Sequence, residues 1–345
     1  MSRDSRVTLL RQLEVVRGRR ALVFFLGDRQ NLNTQIAPDQ LSLTSTLLEE
    51  LQHVPALDVF LYSTGGITMA AFAFVNLIRE YADRFSVIAP YKALSAATLI
   101  CLGADEITMT PLASLSPVDP SVNGPYNPLV PNQPPGTFPV QTIAVSVEDV
   151  VQYIDLAKKE GGLSRDEDMR EVFLQLARDV RPLALGSVHR ARTQIRMLSR
   201  KLLESHRPPN ESRWQRWLRR RKNGKIVDTL TKELLSHDYT ISRREARDIG
   251  LNVAEPDARS GEAIMQLYRE YEADLHLLEP YNPDLELGQE QTKTVVLERA
   301  YIETTATSYS FTSQHHLSRV TAPAQMGMMV ATVAARVVAE GWRKL

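Results

Sequence analysis

The chain has 345 residues, with 41 Lys and Arg balanced by 41 Asp and Glu, and 43% hydrophobic residues, which is material for a large core. Zero formal net charge excludes a histone-like binder acting through overall charge and a disordered acidic or basic chain. The single cysteine, Cys101, excludes an intrachain disulfide and a cysteine-based metal site. With no uncharged apolar run of about 18 residues and a charged amphipathic start, the expectation is a cytoplasmic protein with no membrane span and no cofactor.

Apolar positions Val7, Leu10, Leu13 and Val16 recur at helical spacing, so residues 1–19 form an N-terminal helix. The core follows over 20–255. The run Ala21 to Leu26, ended by Gly27-Asp28, predicts a buried strand, and Leu57 to Tyr62 predicts another after a helix near 40–52. That second strand runs into Ser63-Thr64-Gly65-Gly66 and a helix reaching about Tyr81. The order repeats: a strand at 85–89, a turn at Pro90, a short helix from Ser95 to Leu102, and a strand at Glu106 to Thr110. Alternating short strands and helices imply an α/β layer with parallel strands covered on both faces.

Eight prolines between Ser116 and Pro139 predict an extended surface loop over 116–139. Helices are expected near 147–160, from about Arg181 to Glu204, at 226–235 and at 242–249, with Gly250 capping the last. Residues 181–225 form a basic helical segment, holding fourteen Lys and Arg against Glu204 and Glu211, a local charge of about +12. Residues 256–345 form a C-terminal extension, in which 294–303 and 306–312 have hairpin composition and a terminal helix opens at Thr321-Ala322-Pro323.

Two junctions stand out, each following a buried strand and opening a helix, about thirty residues apart. Helix N-termini placed this way can meet at one sheet edge. Gly65-Gly66 lets the backbone turn and expose N–H groups, as an oxyanion site requires. Ser95 heads a helix beside the small Ala96 and Ala97, where a hydroxyl lies next to an N–H and the positive helix end. Taken alone, Ser95 reads first as an N-cap and Gly65-Gly66 as a plain tight turn.

Together, Ser63-Thr-Gly-Gly-Ile-Thr-Met-Ala-Ala71, Pro90-Tyr-Lys-Ala-Leu-Ser-Ala-Ala-Thr-Leu99, Gly103-Ala-Asp-Glu-Ile-Thr-Met109 and Leu115-Ser-Pro-Val-Asp-Pro120 resemble the serine dehydrogenase proteinase family of the Clp protease/crotonase superfamily. With Arg181 to Gly186 and Ser236 to Leu251 the resemblance covers roughly 55–255. It implies a spiral of ββα units, Ser95 as nucleophile, and the N–H groups of Gly66 and Ala96 as receivers of the oxyanion. It also implies a handle-type helix at about 184–204 that serves homo-oligomerisation, and a peptide or protein substrate.

The sequence departs from the family at two places. Ser95-Ala96-Ala97-Thr98 stands where many members have Ser-Gly-Gly-Thr, which keeps the side chains short. Val118-Asp119-Pro120 stands where the Clp subunit places its histidine, and an aspartate of ordinary pKa near 3.9 is a weak acceptor for a serine proton. His237 is the first alternative, with Asp238 at the offset of the Clp acidic triad member to orient it; His237 reads equally as a solvated loop residue. Lys92, three residues before Ser95, is the second, with Lys158 and Lys159 beyond it, as in signal peptide peptidase A relatives. Lys92 reads also as a surface lysine snorkelling at a strand end. His189 on the basic helix is third.

The cluster Trp214 to Lys222, within 213–222, mixes aromatics with positive charge and suits nucleic acid, anionic lipid or a partner such as a neighbouring subunit, and reads first as a solvated basic helix. No Gly-x-x-x-x-Gly-Lys-Ser/Thr motif is present, so any ATP dependence comes from a second protein. The leading expectation is an ATP-independent serine peptidase acting through a Ser95 acyl-enzyme. Its rivals are a catalytically inactive scaffold of the same fold that contacts nucleic acid or a partner, and an acyl-CoA enzyme of the crotonase branch, which does not need Ser95.

Overall fold

The computed structural model describes the chain except for residues 1–2, 119–120, 123–125, 131–141, 206–210, 235, 237 and 324–328. It divides into two compact units, Met1–Leu115 with Ser242–Leu345, and Ser116–Ile241.

The first unit begins with α1 (Arg3–Arg17), β1 (Arg20–Leu26), α2 (Gln40–Leu51), β2 (Val54–Tyr62), α3 (Thr68–Tyr81) and β3 (Ala82–Ala89). It continues through β4 (Lys92–Ala93), α4 (Ala96–Gly103), β5 (Glu106–Met109) and β6 (Ser114–Leu115). Strands β1, β2, β3 and β5 pair in parallel. Connections of this kind require a crossover, and the helices between the strands supply it.

β1 shows why the strands read as continuous apolar runs. Its residues Ala21, Val23 and Phe25 enter one core with Leu10 and Leu13 of α1. Leu22, Phe24 and Leu26 are buried on the opposite face, where the Phe24 ring meets Phe74 of α3 at 4.5 Å between centroids. Both faces are covered, so alternation disappears. Each fully buried Leu or Phe here contributes about 1.5–3 kcal/mol.

The second unit holds β7 (Ser121–Val122), β8 (Val145–Ser146), α5 (Val147–Lys159), α6 (Asp166–Asp179), α7 (Pro182–Glu204) and α8 (Arg213–Asp228), followed by a π-helical turn at Thr229–Glu233. β7 pairs with β8 and Leu129 bridges Thr142, so the proline-rich segment contains short regular pairing where only loop was expected. Ser146 caps α5 by accepting from the Asp149 N–H at 3.1 Å, and Ser212 with Gln215 forms a capping box on α8.

The chain continues with β9 (Ile241–Ser242), α9 (Arg243–Ile249), which ends on left-handed Gly250, β10 (Val253–Ala254), α10 (Ala258–Asp274), α11 (Pro283–Leu287), β11 (Thr292–Glu303), β12 (Ser308–Pro323) and β13 (Met329–Lys344). The eight-stranded sheet runs β10-β5-β3-β2-β1-β11-β12-β13 and is mixed, because β11 joins β1 antiparallel. The expected terminal helix is absent from the described residues: Met329–Lys344 is a strand paired with Tyr309–Pro323. Alanine favours helix, but Val330, Val333, Val337 and Val338 suit a strand, and a partner strand along the whole length outweighs the local preference.

α10 closes the core face over β1 and β2 with Ile264, Leu267, Tyr268 and Tyr271. A buried charge cluster ties it to α1. Arg6 reaches Asp274 at 2.6 Å and Glu303 at 3.1 Å, Tyr271 donates to Glu303, and Tyr301 donates to Asp274 at 2.8 Å. Burial alone would lower the Arg6 pKa, yet the Glu303 carboxylate carries it above the ordinary arginine value.

Candidate functional site

The carboxyl end of β2 runs on as Ser63-Thr64-Gly65-Gly66 and stays hydrogen-bonded on both sides. On one side the Ser63 N–H donates to Lys92 O at 2.9 Å and the Leu94 N–H donates to Ser63 O at 3.0 Å. On the other, the Ile36 N–H donates to Gly65 O at 2.9 Å and the Ile67 N–H donates to Ile36 O at 2.8 Å. The second pair is a parallel bridge, which uses the carbonyl before Gly66 and the N–H after it. Gly66 therefore keeps its own N–H and C=O out of that ladder. The Gly65 N–H is already used, donating to Ser63 Oγ at 3.0 Å.

Both glycines are required by space and by conformation. Gly65 has φ 116° and Gly66 φ 145°, where a side chain is strained. A Cβ on Gly66 would collide with the Ile36 backbone, and a Cβ on Gly65 would lie 2.8 Å from the Ser95 Cβ and 3.2 Å from its Oγ. The first junction thus presses directly against the second, as the strand–turn–helix reading anticipated.

Ser95 sits between β4 and α4 with φ 52° and ψ −115° and is half-buried. Its side chain makes no N-cap hydrogen bond to the helix it heads. The N-cap reading is therefore set aside, and the strained backbone needs another account. A sharp strand-to-helix turn with a strained serine is the device that lifts a hydroxyl out of a sheet edge in unrelated hydrolases. The turn is held from behind by Thr98, whose hydroxyl donates to Ala93 O at 2.9 Å. Ala96 and Ala97 are fully buried, so the half-buried Ser95 is the accessible corner of an otherwise closed helix start.

Lys92 is neither free nor snorkelling. Its ammonium donates to Asp28 Oδ2 at 2.6 Å, with side chains 28% and 13% exposed. The Tyr62 hydroxyl donates to the other oxygen of Asp28 at 2.7 Å. Burial, then the neighbouring Asp28 charge, pushes the Tyr62 phenol far above its ordinary value, so it remains a donor. The ion pair ties Lys92 to the turn that follows β1. Sequence reasoning missed Asp28 and Tyr62, although both end strands at the sheet edge where α/β sites form, a signal that could have found them.

The remaining candidates lie elsewhere in the chain. His237 falls outside the described residues, as does Asp119. Asp238 is exposed in the second unit and its N–H donates to Ser236 Oγ at 3.3 Å. In the same unit, Lys159 is exposed and paired with Asp155 at 2.8 Å, Lys158 is exposed, and His189 lies on α7 in a groove of basic side chains. Cys101 is buried in α4 with its thiol pushed up by burial, so it is not a competing nucleophile. Among the described residues no cluster of three or more His, Cys, Asp or Glu could hold a metal ion, and no helix is long and apolar enough to cross a membrane.

Residues 47–130 match the family of ClpP-like, SDH-type serine proteinases, which bears out the resemblance over the segment that carries Gly65, Gly66 and Ser95. An uncharacterised protein of Methanocaldococcus jannaschii is 23% identical over 214 residues, covering 62% of this chain and 59% of that one. A second uncharacterised protein of the same archaeon is 35% identical over 66 residues, 19% of this chain and 23% of that one. The matches thus span less than two thirds of either relative. Two solved mutants of the 1510-N membrane-bound stomatin-specific protease are similar at 17% and 16% identity. They have TM-scores of 0.34 and 0.36, each covers 64% of this chain, and they are covered to 75% and 71%. The second of them holds a substrate peptide.

Proposed function

We propose that the protein is a serine peptidase in which Ser95 forms the acyl-enzyme. The observation that carries this reading is the strained Ser95 at the head of α4, packed against Gly65 inside the segment that matches a serine proteinase family. A strain of this kind costs about 1–3 kcal/mol and persists where the surroundings and a function hold it.

In this reaction Ser95 Oγ attacks the amide carbonyl carbon of a peptide, and its proton passes to a base. The carbonyl oxygen becomes an oxyanion that accepts hydrogen bonds from the Gly66 and Ala96 N–H groups. The Gly66 N–H lies outside the bridge to Ile36, and the Ala96 N–H is the first of the helix, with no intrahelical partner. Collapse breaks the C–N bond, the base returns the proton to the leaving amine, and water hydrolyses the ester by the same route in reverse.

The experiment is intact-mass detection of a fluorophosphonate adduct from pH 6 to 9 in wild type, Ser95→Ala, Lys92→Met and His237→Ala. One adduct that disappears in Ser95→Ala is expected. Loss in His237→Ala as well, with labelling that rises through about pH 6.5, assigns the proton to that imidazole. A folded protein that labels at no pH, or labels equally in Ser95→Ala, overturns the reading.

A further inference from the structure

Helix α8 carries the most unusual surface of the second unit. Asn223, Ile226 and Val227 form its buried side. The face turned away from them, read at 100° per residue, presents Trp214, Trp217, Leu218, Arg221 and Lys225. Trp214 is 65% and Trp217 49% exposed. The two indoles stack on each other at 5.0 Å between centroids with 20° between planes, and the Arg221 guanidinium lies 5.7 Å from the Trp217 ring. Two tryptophans at the solvent-facing crest of a helix leave much of their apolar surface in water, which has a cost.

The charge around them is incompletely used. Glu211 engages Arg216 and Arg219, and Glu204 lies 3.8 Å from Arg220. Arg213, Arg221, Lys222 and Lys225 are exposed and in no ion pair among the described residues. α7, which packs beside α8 through Asn223 and the Leu203 carbonyl, carries Arg192, Arg200 and Lys201 along a groove of about 640 Å³ that Glu204 also lines and where Arg196 is paired with Asp228 at 2.7 Å.

We propose that α8 is a binding platform for single-stranded nucleic acid. The arrangement of its outer face selects this occupant. On this face Trp214, Trp217 and Leu218 form a patch of two turns and Arg221 and Lys225 occupy the next two, so the apolar stripe is too short to seat the helix along a lipid surface. A single strand combines the same two chemistries, with bases that stack on the exposed indole faces and phosphates that meet the flanking cations Arg213, Arg221, Lys222 and Lys225. The balanced net charge of the chain is consistent with such a local site, since a platform acts through its own +12 segment and not through the total. This inference is independent of Ser95.

The test is fluorescence anisotropy of a labelled twelve-nucleotide oligouridylate, titrated with the full chain between 50 and 200 mM salt. Binding is expected, weakening with salt at a slope of about −3 if four phosphates are neutralised. Trp217→Ala and Trp214→Ala should each weaken binding about five-fold or more, whereas Trp217→Phe, which keeps a stacking face, should weaken it less. Circular dichroism checks that α8 is retained. The proposal is overturned if the oligonucleotide fails to bind at 50 mM salt, if the alanine variants bind as wild type, if a duplex competes as well as the single strand, or if only phosphatidylglycerol vesicles bind.

Discussion

Gly65 and Ser95 are thirty positions apart, yet the Cβ that Gly65 lacks would stand 2.8 Å from the Ser95 Cβ. The two loop-to-helix junctions are therefore one object, built where β2 and β4 run out side by side. What binds them is the pair of hydrogen bonds between Ser63 and the Lys92–Leu94 backbone.

Gly65→Ala follows directly from that contact. The added methyl group meets Ser95 Cβ at less than van der Waals distance, in a backbone of φ 116°. Peptide hydrolysis and fluorophosphonate labelling are expected to fall about 100-fold or more, with a loss of about 1–3 kcal/mol in urea unfolding. Wild-type labelling in a folded Gly65→Ala would contradict the close approach.

Replacing Ser95 separates strain from chemistry. Ser95→Gly removes the Cβ from a residue with φ 52°, so it should stabilise the chain by about 1 kcal/mol while abolishing labelling. Ser95→Ala abolishes labelling and keeps the strain. Equal unfolding midpoints for the two variants would show that the backbone is not strained there.

Among the described residues, Lys92→Met leaves Asp28 with only the Tyr62 hydroxyl. A loss of about 1–3 kcal/mol in chemical denaturation is expected, because a partly buried carboxylate loses its charged partner. Labelling of Ser95 should persist within a few-fold. Abolished labelling in a folded Lys92→Met protein would instead make Lys92 the proton acceptor.

His315 supplies a pH dependence in the C-terminal sheet. Burial, and then the nearby Arg299, push its imidazole below the ordinary histidine value, and it bonds Ser313 Oγ at 3.0 Å. A depressed histidine binds fewer protons folded than unfolded, so its stabilisation is present above the unfolded value near 6.5 and lost as pH falls through the folded one. His53, raised by its hydrogen bond to Asp83, acts in the opposite sense, so the comparison is made between variants. The fall in Tm between pH 7.5 and 5.5 should be smaller in His315→Gln than in wild type. An identical fall would show that His315 does not titrate with folding.

Much of the first unit is legible in the chain because its strands are short, buried on both faces and ended by turns. Ala21–Leu26 and Leu57–Tyr62 announce themselves in this way, and the positions of Gly65, Gly66 and Ser95 follow from the junctions. α6 is not legible so easily, because its apolar positions are widely spaced among charges: in Asp166–Asp179 only Val172 and Leu176 are buried. α10 does carry the signal, with Ala263, Ile264, Leu267, Tyr268 and Tyr271 at helical spacing. β13 is misread because its small residues suit either state and a partner strand decides. The place of Asp28 just past β1 marks it as a site candidate, but nothing in its neighbourhood says that a lysine 64 positions later will meet it.

The place of β1 in the sheet has a consequence for how the protein is made. Its apolar strand has β2 on one side, synthesised within forty residues, but on the other side it waits for β11, and Arg6 waits for Glu303, 297 positions away. At a translation rate of about 5–20 residues per second, the bare edge of Ala21–Leu26 stands open for roughly ten to forty seconds after the parallel strands have left the ribosome. During that interval a second nascent chain offers the same edge, an edge-to-edge hazard that ends when β11 pairs with β1.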